Sequence, residues 1–155
     1  MSHGVKDLLI FTVEEQRFAI PLSMIDRVIR AVALTPITDS PGFIEGIIDY
    51  FGEVIAVISL RKPLGYPLRE VGLNDRFIIV TTAHRKLALI VDDVEDVLSP
   101  DSQDWFDSKE INKGLKFLNI LRDDQGIIFI YDIESLLGMD EEIQLKKLLE
   151  TNFFN

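Results

Sequence analysis

The amino-acid sequence predicts an all-β (mainly β) fold of small barrels, and two observations carry that reading. About nine or ten short apolar runs follow one another at close, regular spacing, with little between them that reads as helix. The runs are rich in β-branched and aromatic side chains, most clearly from Pro41 to Gly65, PGFIEGIIDYFGEVIAVISLRKPLG. There Ile47, Ile48 and Tyr50 precede a glycine turn, and Val54, Ile55, Val57 and Ile58 follow it. The pattern is strand, tight turn, strand and a short basic segment stopped by proline, with Gly52 permitting the positive φ such a turn needs.

Leu8 to Val13 is the first apolar run, Glu14 and Glu15 make a polar tip, and Arg17 to Ile20 resumes the pattern, which predicts an opening hairpin closed by Pro21. The next segment, LSMIDRVIRAV, mixes helical spacing at Leu22, Ile25, Val28 and Ile29 with β-branched residues. It predicts one helical turn near Leu22 to Ile25 and then a strand. Thr35 to Gly42 is a loop by its prolines, glycine and short polar residues. Arg76 to Thr82 and Leu87 to Val91 form a hairpin across Ala83, His84, Arg85 and Lys86, and Val94 to Leu98 adds a short strand. Ser99 to Gly114 is polar and breaker-rich apart from Trp105, Phe106 and Ile111, which predicts a long surface excursion. Leu115 to Leu121 and Ile127 to Tyr131 flank Arg122 to Gly126 as a further hairpin. Two short helices close the chain: Ile133 to Leu137, stopped by Gly138, and residues 140–150, capped by Asp140 with Leu145, Leu148 and Leu149 at helical spacing. No internal repeat stands out, and residues 1–155 read as one domain.

Composition excludes several function classes. With 155 residues and 47% hydrophobic content the chain has ample apolar surface for a core. Its 26 acidic and 16 basic side chains give a formal net charge of -10, which favours solubility and weighs against a nucleic-acid partner. The absence of cysteine excludes disulfides, thiolate catalysis and thiolate metal sites, and fits a reducing compartment. The start, MSHGVKDLLIFTV, lacks a basic leader followed by a long apolar run, and no run approaches the roughly 20 apolar residues a membrane helix requires. The expectation is a cytoplasmic protein without direct membrane insertion.

Candidate chemistry is sparse. His3 and His84 are the only histidines, one near a terminus and one at a hairpin tip, and both read as surface residues. Asp92, Asp93, Glu95 and Asp96 lack the glycine and distal glutamate of a calcium loop and read as charges that keep a strand edge from pairing. Ser23, Ser59, Ser99 and Ser102 sit in no G-x-S-x-G elbow, and Gly42, Gly46 and Gly52 are too widely spaced for a phosphate loop. No catalytic residue, metal or cofactor is expected. Trp105 and Phe106, among Asp104, Asp107, Ser108 and Lys109, either fold back on the barrel or dock with a partner. Phe51, beside Gly52, faces the same choice and favours contact.

Taken together, these segments resemble the CheW-like domain family, adaptors that couple bacterial chemoreceptors to CheA-type histidine kinases. The resemblance covers roughly residues 8–138. It rests on FAIPL from Phe18 to Leu22, IDRVI from Ile25 to Ile29, GIIDYFGEVIAVISLR from Gly46 to Arg61, IVDDVEDVL from Ile90 to Leu98 and IIFIYDIESLL from Ile127 to Leu137. Each motif is weak alone; five in the right order are specific. The resemblance implies two small SH3-like five-stranded β-barrel subdomains around a shared core, with a C-terminal helix covering part of it. It also implies a non-enzymatic adaptor, monomeric in isolation and recruited to receptor arrays at the inner membrane. The groove between the barrels receives the cytoplasmic tip of the receptor's helical hairpin, and the barrel ends dock on the regulatory domain of the kinase.

On the residue-by-residue match, Leu22, Ile25, Arg27, Gly46, Phe51 and Gly52 line or support the receptor groove. Trp105 and Phe106, as large rings in a polar segment, are separate candidates for kinase or neighbour contact. Two departures from the family pattern are the most informative: its glutamate falls on Arg27 and its turn arginine on Phe51, so an acid and a base become a base and a ring. Asp49 and Tyr50 replace an asparagine and a leucine, and Ala56 replaces a proline. Exchanging a charge-assisted contact for aromatic surface alters partner choice. The alternative reading is a small β-barrel module that binds a ligand or nucleic acid without a role in a signalling array.

Overall fold

Strands form where the apolar runs lie, and two-residue turns at Glu14–Glu15, Phe51–Gly52 and Asp124–Gln125 set the registers of three hairpins. The structure, a computed structural model, describes residues 7–38, 40–100 and 117–153. The order is β1 Leu8–Val13, β2 Gln16–Pro21, a 3-10 turn Leu22–Met24, β3 Ile25–Arg30, β4 Gly46–Tyr50, β5 Glu53–Ser59, α1 Arg61–Leu64, β6 Arg76–Thr81 and β7 Lys86–Val91. Then come β8 Asp93–Leu98, β9 Phe117–Asp123, β10 Gly126–Tyr131, a 3-10 turn Ile133–Ser135 and α2 Met139–Phe153. Each predicted strand is present within two residues of its expected ends. Most of the predicted excursion, with Trp105 and Phe106, lies outside the described residues, as does His3.

The strands form two five-stranded sheets, ordered β8-β1-β2-β10-β9 and β3-β6-β7-β5-β4. Both follow one plan: a hairpin (β9–β10 or β4–β5) joins in parallel to the second strand of another hairpin (β1–β2 or β6–β7), whose first strand takes an added edge strand, β8 or β3. A topological repeat therefore exists where the sequence shows none, because β3–β7 and β8–β10 with β1–β2 share connectivity rather than residues. The second sheet is continuous in sequence; the first combines the two ends of the described chain.

Period-2 alternation then sorts each strand between two cores. Leu8 and Ile10 of β1 join Ala19, Leu121, Ile128 and Ile130 inside the first sheet's subdomain. Ile55 and Val57 of β5, Phe77 and Ile79 of β6, and Ala88 and Ile90 of β7 join Ile48 and Tyr50 inside the second. The intervening residues, among them Leu9, Phe11, Ala56, Ile58, Ile78, Val80, Leu87 and Leu89, meet in a shared core between the sheets. Both faces of the central strands are buried, which is why they read as unbroken apolar runs. Helix α2 seats Leu145 and Leu149 in the shared core, and Glu142 of α2 pairs with Arg85 of the β6–β7 turn at 2.8 Å.

Candidate partner-binding site

The turn between β4 and β5 is built from two residues with positive φ, Phe51 at 51° and Gly52 at 87°, between the paired residues Tyr50 and Glu53. This geometry matches the right-handed twist of the flanking strands, and Asp49 Oδ1 accepts the Gly52 N–H at 2.8 Å. Glycine occupies such a conformation freely; phenylalanine does so at a cost of about 1–2 kcal/mol. The cost holds a large ring 78% exposed at the tip. The Arg27 guanidinium lies 5.0 Å from the Phe51 ring centre, and Tyr50 meets that ring edge-on at 4.9 Å. The base-and-ring pair expected from the family departures is therefore a cation–π contact.

Beside it, the Tyr50 hydroxyl donates to Asp26 Oδ2 at 2.5 Å, and that hydrogen bond raises the tyrosine's pKa. Asp26 and Arg27 belong to β3, Tyr50 and Phe51 to the β4–β5 hairpin, and β3 and β4 are the two edges of the second sheet. The four side chains close its seam. Tyr50 stood out from sequence as a strand residue and a departure from the family pattern, but its pairing with Asp26 did not, since a donor–acceptor pair 24 residues apart leaves no local pattern.

A β-bulge between Ile25 and Arg27 decides what β3 presents outward. Ile25 lies opposite Val80, Val28 opposite Ile78 and Arg30 opposite Arg76, with Val80 and Ile78 in the shared core. Ile25, Val28 and Arg30 therefore share the sheet's outer face, the one turned away from the second subdomain's own core and continuous with the shared core. Ile29 points inward to the second subdomain's core. The extra residue restores the phase, as bulges do, and explains the helix-like spacing of Ile25, Val28 and Ile29. Leu22, in the 3-10 turn, and Val28 are each more than a third exposed, whereas Ile25 packs partly against the shared core. Gly46 is buried at the far end of β4, where a Cβ would meet Leu34 Cβ at 2.9 Å and the Thr35 carbonyl at 3.0 Å. The structure thus gathers Arg27, Phe51 and Gly52 at the seam and Leu22 and Ile25 at the head of β3, with Gly46 apart from both groups.

Arg61, the last residue of the central motif, and Asp75 are buried charged side chains to which sequence reading gave no role of their own. Arg61 pairs with Glu14 of the β1–β2 turn, donates through Nη2 to both oxygens of Asp92 at 3.0 and 2.8 Å, and donates to the Pro67 carbonyl at 3.2 Å. Arg69 bridges Asp92 and Asp75. The network joins the first sheet's opening turn, α1, the β5–β6 loop and the β7–β8 junction. It also gives Asp92 a structural role within the acidic cluster. Among the described residues, no three of His, Cys, Asp and Glu converge on a metal position. The crevice between α1 and α2, about 440 Å³, is lined by Phe43, Ile58 and Leu137 with Lys62 and Glu141. No helix among the described residues is long and apolar enough to cross a membrane.

Comparison with known proteins agrees with this architecture. The sequence profile of the CheW-like domain matches residues 7–141. The chemotaxis protein CheW of Thermotoga maritima is 29% identical, covering 91% of each chain, and that of Klebsiella aerogenes 24% identical, covering 88% of this chain and 84% of its own. The crystal structure of the scaffolding protein TtCheW from Thermoanaerobacter tengcongensis superposes with a TM-score of 0.78 at 29% identity, covering 88% of this chain and 95% of that one. These relatives are described as chemotaxis and scaffolding proteins. Agreement in sequence over residues 7–141 and in fold over most of the same span makes the chain a member of the CheW-like domain family.

Proposed function

We propose that the protein is an adaptor of a chemotaxis signalling array, holding the cytoplasmic tip of a chemoreceptor hairpin and the regulatory domain of a CheA-type histidine kinase at once. The family match over residues 7–141 is the observation that carries this reading. Its mechanism is coupling by differential affinity: a receptor state that binds the adaptor–kinase pair more tightly shifts the kinase equilibrium without any chemistry here. The outer face of β3 and the β4–β5 turn form the receptor side. In support, Leu22, Val28 and Phe51 are exposed there, and the bulge and the Tyr50–Asp26 bond hold them on ordered backbone. Phe51, stacked under Arg27, replaces the family's acid–base pair and narrows the choice of receptor.

Mixing the purified protein with receptor tip hairpins and kinase regulatory domains from the same genome tests the reading. A ternary complex is expected; silence toward all of them removes the adaptor role. Phe51→Arg is expected to weaken tip binding about tenfold, the loss of an aromatic anchor, with thermal unfolding nearly unchanged. Arg27→Glu combined with Phe51→Arg restores the family's pair and is expected to shift preference toward the receptors of ordinary family members.

A further inference from the structure

β3 and β6 set two arginines directly opposite one another, Arg30 against Arg76, on the outer face of the second sheet. Cβ atoms so opposed lie about 4.5–5.5 Å apart, and like charges at that spacing destabilise the strand pair. The chain has acids to spare, 26 against 16 bases. Arg17, Arg61, Arg69 and Arg85 each pair with a carboxylate. Among the described residues none pairs with Arg30 or Arg76. Arg76 instead donates through Nη1 to the carbonyls of Asn74 and Asp75 at 2.8 and 3.2 Å, which anchors the guanidinium. The Ala31 N–H donates to the Asp75 carbonyl at 3.1 Å, continuing the pairing one step past β3. A repulsive pair is thus held on ordered backbone, beside the apolar strip of Val28 and Ile25.

Resting on the adaptor reading above, we propose that Arg30 and Arg76 form a twin-guanidinium clamp for a carboxylate on the docked receptor tip. The two residues from Val28 to Arg30 span about 6.6 Å, close to the roughly 5.4 Å rise of one helical turn. The recognised acid therefore lies one turn from the apolar side chain that covers Val28. Two guanidiniums side by side, one of them anchored, suit a carboxylate because its two oxygens accept charge-assisted hydrogen bonds from both. Arg27 faces the other way, over Phe51, and takes no part.

Titration of wild type, Arg30→Gln, Arg76→Gln and the double variant with a receptor tip hairpin that binds wild type tests the clamp. Tip versions in which each Asp or Glu becomes Asn, Gln or Lys complete the set. Each single variant is expected to weaken binding about tenfold, to flatten its salt dependence, and to leave Tm unchanged or raised as the repulsion disappears. One tip acid is expected to account for the loss, and its exchange for Lys to be rescued by Arg30→Glu. Undiminished binding by the double variant overturns the clamp and spares the adaptor reading. A fall in Tm that parallels the loss of affinity makes the arginines structural and also overturns it. A wild-type protein that binds no tip overturns both.

Discussion

Arg61 shows how one side chain can hold two sheets in register. Its guanidinium is nearly buried and meets Glu14 and Asp92 from different parts of the fold. Removing one partner of such a set leaves charges without compensation, so Arg61→Met is expected to cost about 3 kcal/mol and to lower Tm by about 10 °C in a thermal melt. Arg17 plays a similar part at the surface, donating to both oxygens of Asp123 at 2.7 and 2.8 Å. These hydrogen bonds hold the Asp123 carboxyl below its usual 3.8. A depressed pKa contributes stability that is complete above pH 3.8 and lost as pH falls through the folded value. Asp123→Asn should therefore flatten the acid limb of an unfolding-versus-pH curve. Tyr131 gives the opposite sign: burial, with a smaller contribution from Asp132, pushes it up to about 12. Its contribution is complete below the ordinary value of 10.0 and lost as pH rises toward 12. Tyr131→Phe is expected to remove that alkaline loss in the same experiment.

At the scale of elements, strands and turns were legible because each run carries its own signal. The β4–β5 turn was located by Gly52, and α2 by Leu145, Leu148 and Leu149 at helical spacing. The bulge in β3 was not legible, since Ile25, Val28 and Ile29 fit a helix turn and a phase-shifted strand equally well, and only pairing with β6 decides between them. Within the candidate site, the Arg27–Phe51 contact was foreshadowed by two departures from the family pattern, whereas Asp26–Tyr50 and Arg30–Arg76 required strand register. The close approach at Gly46 also depends on packing. Gly46→Ala places a methyl group 3.0 Å from the Thr35 carbonyl oxygen, and a loss of about 1–3 kcal/mol is expected from overpacking, measured by urea unfolding. Leu145→Ala empties a fully buried position in the shared core. It should cost about 2–5 kcal/mol in the same assay, a direct measure of how far α2 is part of the fold.

For the whole molecule, the shared core couples the sheets. Leu9, Phe11 and Phe18 of the first sheet and Ile58, Ile78 and Leu89 of the second lie in one cluster with Leu145 and Leu149. One cooperative transition is expected, with tyrosine near-UV and backbone far-UV circular dichroism coinciding; two separated transitions would mean the subdomains unfold independently. The sequence carried the all-β class and the succession of strands along the chain, but not the repeated plan, which lies in how the strands connect and not in matching residues. The plan also orders events during synthesis. β3 to β7 leave the ribosome consecutively and have every neighbour of their sheet by Val91. β1 and β2 emerge first, yet β2's parallel neighbour β10 is translated only at Gly126–Tyr131. The opening hairpin must wait for more than a hundred residues with Phe18 and Ala19 short of their final partners. The polar turn at Glu14 and Glu15 and the acidic bias of the chain set like charges against the pairing of that early apolar segment with its copies.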